Sequence, residues 1–378
     1  MIFLYAMDKK QKLRRIACFI TAHGFGHASR ACAFMQSILD NDPAIRFEVF
    51  TCTPKWFFRK SLCAEIGYHH LETDIGMVQS SPFQENITAT LNKLRRFLPF
   101  DLGLITSTVD AVKQLRCEIV LCDISPMGIA VADAAGIPSV LVENFTWDWI
   151  YSDYQSESQQ FEPYIDYLKK IFNRATYHIK AKPFCQSGKS DLTVAPVSRK
   201  PRSQASEIRA RLSIGNNDKV VILTMGGVKE SKDYAVGLER LNDIHFIIPG
   251  VKNEHHQCAN LTFLPFQSDF FHPDLINAAD AVIGKVGYST IAEVYQAGKP
   301  FGYVKRPTFR ESIVLVKFIK DRLPSLPISE EELYSGNWVK KIPKLINMPT
   351  DKNLQKNGAD AISEFVLARL QSRHIMTS

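Results

Sequence analysis

The chain has 378 residues, 45% hydrophobic and 22% charged, and 46 basic against 39 acidic side chains leave a net charge of +7. This is the composition of an ordinary globular protein, long enough for two domains, and no window approaches the 18 uninterrupted apolar residues of a membrane-spanning helix. The basic excess is mild and scattered, which argues against a nucleic-acid stripe; it suits a small anionic ligand such as a sugar nucleotide, and equally a solvated basic surface.

Met1–Ala6 is apolar but much shorter than a signal segment, and Lys9–Arg15 follows it rather than preceding it. Eight cysteines show no CxxC pair or ligand spacing, and several sit in apolar runs such as Ile16–Ile20 and Ile119–Ile124. The expectation is a protein of a reducing, cytoplasmic compartment. Short apolar runs then alternate with helical stretches, the rhythm of parallel βαβ units. Strands are predicted at Ile16–His23, Phe47–Thr53, Glu118–Asp123 and Ser139–Asn144, with helices from Ala28 to Leu39 and over Met127–Ala135. Leu91–Phe100 carries Lys93, Arg95 and Arg96 among leucines and phenylalanines; it is either an amphipathic helix against the core or a peripheral membrane contact.

Lys182 to Arg202 breaks the rhythm with Pro183, Gly188, Pro196 and Pro201, around one strand-like piece at Leu192–Ala195. After it come a helix at Gln204–Leu212 and strands at Val220–Met225, His245–Pro249, Leu261–Leu264, Ala281–Gly284 and Pro300–Val304. Helices at Thr290–Ala297 and Ser312–Asp321 interleave with them, and a last one follows at about Asn353–Leu370. The expected fold is α/β, with two Rossmann-like domains facing each other across a cleft. Residues 14–185 form the first, 186–202 the linker and 203–350 the second, while 351–378 can pack back on the first.

Four segments carry chemistry. Thr21-Ala-His-Gly-Phe-Gly-His-Ala-Ser-Arg30 joins the first strand to the first helix. Gly24 and Gly26 let the backbone turn and approach a ligand, and the free N–H groups of the following helix hold negative charge. It is not a dinucleotide fingerprint, because Ser29 replaces the third glycine and Thr51-Cys-Thr53 lacks the acid that would hold a ribose. An imidazole at a strand's carboxyl end can act as a general base, which makes His27 and His23 catalytic candidates, although either can instead bond loop carbonyls. In Asp280-Ala-Val-Ile-Gly-Lys-Val-Gly-Tyr-Ser-Thr-Ile-Ala-Glu293 a buried strand runs through a glycine turn into a helix. Ser289, Thr290 and the first N–H groups make a diphosphate cradle with Lys285 nearby. Glu293 lies on the Thr290 face for ribose hydroxyls, or serves as an ordinary first-turn acid. Thr224-Met-Gly-Gly-Val228 offers Gly226 and Gly227 to the same phosphates. Asp123-Ile-Ser-Pro126 and Asn144-Phe-Thr-Trp-Asp-Trp149 follow strand ends and open on the cleft. Asp123 is the second choice of base, and Asn144, Trp147 and Trp149 are acceptor contacts unless the rings are core. Ser187-Gly-Lys-Ser190 fails as a phosphate loop because Pro183 stands where glycine is needed, and Asp40-Asn-Asp42 reads as a helix terminus rather than a metal site.

His23-Gly-Phe-Gly-His-Ala-Ser-Arg30, Asn144-Phe-Thr-Trp-Asp-Trp-Ile-Tyr151 and Ile283-Gly-Lys-Val-Gly-Tyr-Ser-Thr290 resemble the glycosyltransferase-like domain ahead of the kinase in plant L-arabinokinases. Lys305-Arg306 with Phe309, and Gly336-Asn-Trp338, extend the likeness from about Arg15 to Leu367, without the kinase half. More distantly the chain is similar to the peptidoglycan N-acetylglucosaminyl transferase and to glucuronosyl transferases, all of GT-B fold. The resemblance implies donor binding by the second domain, with Gly287 and Thr290 at the phosphates, Glu293 at the ribose and Tyr288 among the donor contacts. It also implies Gly226 and Gly227 in a first glycine loop, Phe266 where backbone groups read the base, and His27 at the acceptor or diphosphate. Where the family has a glutamine pair this chain has Glu311-Ser312, after Arg310, and Arg310 and Glu311 are the donor contacts expected there. The expectation is a metal-independent glycosyltransferase with no cofactor, taking a nucleotide sugar, UDP rather than GDP, and a sugar, lipid or small-molecule acceptor. A nucleotide-sugar 2-epimerase and a non-catalytic binding module are the alternatives.

Overall fold

A computed structural model describes residues 13–81, 83–226, 235, 237–350 and 356–377. The first half supplies the strands β1 (Arg14–Ile20), β2 (Ile45–Thr51), β3 (Gly67–His70), β4 (Cys117–Asp123), β5 (Ser139–Glu143), β6 (Tyr177–Ala181) and β7 (Leu192–Val194). They form one parallel sheet in the order β3-β2-β1-β4-β5-β6-β7. The second half repeats the plan with β8 (Lys219–Thr224), β9 (Ile244–Pro249), β10 (His256–Cys258), β11 (Leu261–Leu264), β12 (Ala281–Lys285), β13 (Phe301–Val304) and β14 (Ser325–Ile328). Their order is β10-β11-β9-β8-β12-β13-β14, parallel except for the edge strand β10. Helices cover both faces, so central strand segments such as Ile16–Ile20 and Val220–Leu223 are apolar on both sides and fully buried.

In each sheet the chain order reverses beside the first strand, and in an open α/β sheet the crevice at such a reversal is where ligands bind. Two helices start there: α1 (Gly26–Asn41) after β1 and α2 (Tyr288–Ala297) after β12. Farther along come α3 (Glu311–Arg322) and α4 (Gly358–Thr377). α4 packs along α1, where Ser37 donates to Asp360 at 2.8 Å and Asn41 to Ser363 at 3.1 Å, so the chain's last helix lies on the first unit.

Four expectations are corrected or resolved. The segment 186–202 is not all linker: Leu192–Val194 pairs with β6 as the sheet's edge, so the first unit runs to Val194. β1 ends at Ile20, three residues before His23, because the chain turns through Gly24 at φ +67°. Ile87–Phe97 is a helix whose Leu91 and Leu94 are buried, so its apolar stripe is spent on the core. Asp42 caps the carboxyl end of α1. Among the described residues no helix is long and apolar enough to cross a membrane.

Candidate functional site

A cleft between the two units is lined by His23, His27 and Gly26 from one side and by Lys285, Gly287 and Thr290 from the other. Its geometry follows from the starts of α1 and α2. Phe25 caps α1 and Gly287 caps α2, and neither cap side chain bonds the helix. Both amino-terminal turns thus bring unsatisfied N–H groups and a partial positive charge to the cleft. The two ends touch where the Ser289 hydroxyl donates to the Gly26 carbonyl at 2.5 Å, and the Arg30 guanidinium lies 4.9 Å above the Tyr288 ring.

The first side carries the cluster of titratable groups. The His27 Nδ1–H donates to Asp123 Oδ1 at 2.9 Å, which leaves Nε2 as the basic nitrogen of a residue at the cleft wall. Asp123 is fully buried behind it and also accepts from Arg30 Nε at 2.8 Å and Nη2 at 2.7 Å. Burial alone would raise the Asp123 carboxyl, but the Arg30 charge and the His27 and Arg30 hydrogen bonds outweigh it and hold the group below its ordinary range. As an independent base Asp123 is therefore corrected: sealed and ionised, it orients His27. Arg30 also donates to Asn144, and Asn144 Nδ2 donates to Glu311 Oε1 at 2.6 Å across the domain interface. Burial raises the Glu311 carboxyl, opposed by the Asn144 hydrogen bond and the Arg306 charge.

His23 sits differently. It stacks 6.2 Å from Phe309 and meets the Trp147 ring edge-on at 5.5 Å. Burial, and then the charges of Arg306, His27 and Lys285, push its pKa well down, so it is a neutral imidazole. Trp147 is 1% exposed and donates Nε1–H to Asp74 at 3.1 Å, so it belongs to the core and presents no face to an acceptor. Trp149 does not line the cleft; its ring lies 4.1 Å under Arg310. Arg310 is turned to the first unit, donating to the Trp149 carbonyl at 2.6 Å and Ser152 Oγ at 2.7 Å, and so clasps the domains rather than facing a donor.

On the second side, Gly226 turns at φ +75°, and a Cβ there would stand 3.2 Å from the Lys285 side chain, so the turn needs glycine. Gly227 lies outside the described residues. Tyr288 is only 8% exposed; its hydroxyl donates to the Lys182 carbonyl at 3.1 Å and accepts from Val197 N–H at 3.1 Å. Glu293 is spoken for on both oxygens, by Arg199 at 2.9 Å and His272 Nδ1 at 2.8 Å. Burial opposes its charge, but Arg199 and His272 keep its pKa low. Ribose hydroxyls would have to share that carboxylate. Phe266, 37% exposed, lines the cleft beside these groups.

Sequence reasoning missed Arg30, Asp74 and the strap formed by Gln79–Ser81 and Gln84–Glu85. Arg30 is the tenth residue of a motif read for its glycines and histidines, and its burial opposite Asp123 is a tertiary fact. The strap leaves the first unit, buries Phe83 among the second unit's core and pairs Glu85 with Arg306 at 2.8 Å. No local pattern marks it.

The model of Glycosyl transferase family 1 matches residues 15–311. The chain is 24% identical over 366 residues to L-arabinokinase of Arabidopsis thaliana, covering 95% of this chain and 34% of that one. It is 29% identical over 141 residues to the UDP-N-acetylglucosamine–N-acetylmuramyl-(pentapeptide) pyrophosphoryl-undecaprenol N-acetylglucosamine transferase of Caldicellulosiruptor saccharolyticus, covering 33% of this chain and 37% of the relative. The chain thus spans about a third of the length of these relatives. Among solved structures it shares its fold with MurG of Acinetobacter baumannii, at 16% identity and TM-score 0.54 over 94% of this chain and 99% of that one. It shares it also with Arabidopsis thaliana UGT89C1 complexed with UDP, at 13% identity and TM-score 0.60 over 94% and 99%. With the matched family model spanning both domains and the cleft between them, the chain belongs to glycosyl transferase family 1 and has the GT-B glycosyltransferase fold.

Proposed function

We propose that the chain transfers a sugar from a nucleoside diphosphate sugar, uridine rather than guanosine, to a sugar, lipid or small-molecule hydroxyl. No metal or cofactor enters the reaction, which runs in the cytoplasm. The observation that carries this reading is the His27–Asp123 pair set across the cleft from the open end of α2. His27 Nε2 takes the acceptor hydroxyl's proton as its oxygen attacks the anomeric carbon, and ionised Asp123 supports the imidazolium that forms. The bond to the diphosphate breaks, and the N–H groups of α2 with the Lys285 ammonium receive its negative charge. Glu311 and the neutral His23 are placed to hold sugar hydroxyls between these two ends. Similarity to a structure complexed with UDP supports the uridine preference.

Titration calorimetry with UDP and GDP tests the donor site first, followed by nucleotide release from UDP-hexoses with a panel of acceptor alcohols. Binding of UDP and acceptor-dependent release are expected. Failure of both nucleotides to bind the wild type would sink the reading, and turnover without acceptor to an epimeric sugar nucleotide would replace transfer with epimerisation.

A further inference from the structure

The cleft continues past the diphosphate cradle to an end walled by aromatic rings. Phe25, Trp56 and Phe57 come from the first unit, and Phe266, Phe270 and Phe271 from the second. Phe25 is the hub: it stacks on Phe57 at 4.9 Å, meets Trp56 edge-on at 5.5 Å and meets Phe266 edge-on at 5.9 Å across the domain interface. This end adjoins Glu293, one turn into α2. Arg199, which bonds Glu293, places its guanidinium 5.3 Å from the Phe57 ring and 5.0 Å from the Phe271 ring. Through Arg199 the rings thus adjoin the first turn of α2. Two observations separate them from ordinary interface core. Phe266 is 37% exposed and Phe25 and Trp56 are half-buried, whereas the core aromatics Phe19, Phe34 and Phe58 are sealed. The Phe266 ring also has a seat made for it: Gly250 turns at φ +83°, and a Cβ there would come within 2.6 Å of that ring.

We infer that the nucleobase of the donor is gripped by both domains, stacked against the Phe25–Trp56 face of the first and the Phe266 ring of the second. The inference rests on the donor-site reading above and adds to it a base contact from the acceptor-side domain. A flat heteroaromatic ring is the occupant this end fits, because it stacks on such rings and its ribose diphosphate reaches the start of α2. Phe25 immediately precedes α1 and the turn that carries His27, so the base also steadies the residues that handle the acceptor's proton.

The test is titration of UDP and GDP into wild type, Phe25→Leu and Trp56→Leu by calorimetry, with tryptophan emission followed in parallel. Leucine keeps apolar volume and removes the π face. Each variant is expected to weaken the nucleotide that binds by about 5- to 100-fold, the effect of one base on one ring. Nucleotide should change the emission of wild type and of Trp149→Phe, and leave that of Trp56→Phe unchanged. Wild-type affinity in both leucine variants, or an emission change that survives Trp56→Phe, overturns the two-domain grip while leaving the donor site standing. Binding of neither nucleotide to the wild type overturns both.

Discussion

The turns that open α1 and α2 are built alike and carry different chemical groups. Each follows a buried parallel strand, passes through glycine and starts a helix with no side-chain cap bond. Around the first, the side chains are titratable and wired into the core: His27 to Asp123, Asp123 to Arg30, Arg30 to Asn144. Around the second they are hydroxyls, a lysine and, one turn on, Glu293 held by Arg199 and His272, beside open backbone N–H groups. In the reaction proposed above, one fold element would handle the proton on one wall and seat the anion on the other. What differs is only the side chains that follow the glycines, and the lesson is that neither wall suffices alone. In the proposed reaction the base comes from the first wall and the lysine beside the diphosphate from the second, and the Ser289–Gly26 bond holds the two walls together.

The sharpest way to break the comparison is His27→Ala. If proton handling is confined to the first turn, kcat falls about 10²- to 10⁴-fold while UDP affinity, measured by calorimetry, stays within about 2-fold. A comparable loss of affinity would show that the first turn also seats the diphosphate. Next in size is Glu293→Ala in the second turn. Because its carboxylate neutralises Arg199, whose side chain is 9% exposed, removal leaves a largely desolvated charge uncompensated, and a loss of about 2 to 4 kcal/mol of folding stability is expected by denaturant unfolding. Glu293→Gln, which keeps hydrogen-bonding capacity, is expected to lose less. Equal stability of wild type and Glu293→Ala would mean the carboxylate serves the ligand and not the fold.

How much of this the sequence disclosed follows from what is local. Parallel strands buried on both faces are continuous apolar runs, so β1, β4, β5, β8 and β12 stand out, and the glycine turns after β1 and β12 mark the cleft. The short edge strands β3, β10 and β14 did not stand out, since half-exposed segments such as Gly67-Tyr-His-His70 lack an apolar run. Side-chain direction was the second limit. Trp147 and Arg310 belong to motifs that do border the cleft, yet one ring turns to Asp74 and the other guanidinium to Ser152. Partners supplied from 50 or more residues away decide those rotations, and no spacing encodes them.

Asp74 allows the first wall to be tested apart from turnover. It is buried, accepts from the Thr21 hydroxyl and from Trp147 Nε1–H, and burial pushes its carboxyl up to about 7 despite those two bonds. With the folded value above the unfolded one, the native state binds more protons between about pH 4 and 7, and stability falls as pH rises through that window. Asp74→Asn mimics the protonated form. It is expected to gain on the order of 1 to 3 kcal/mol over wild type at pH 8 and little at pH 4, read from thermal melts across pH. A pH-independent difference would show that Asp74 does not titrate there and that the loop behind His23 is held by something else.

The smallest effect tests the contact between the two turns. Ser289→Ala removes one hydroxyl donor, and a single neutral hydrogen bond contributes only about 0.5 to 1.5 kcal/mol. The fold should be unaffected, since both helix ends keep their places in their own sheets. The closed arrangement should lose population, so kcat/KM is expected to fall by up to about 10-fold, in step with that energy. Because alanine leaves the α2 N–H groups intact, UDP affinity should change less than kcat/KM does. If instead the two fall together, the hydroxyl holds the diphosphate itself, and its bond to Gly26 is a resting partner that the ligand displaces.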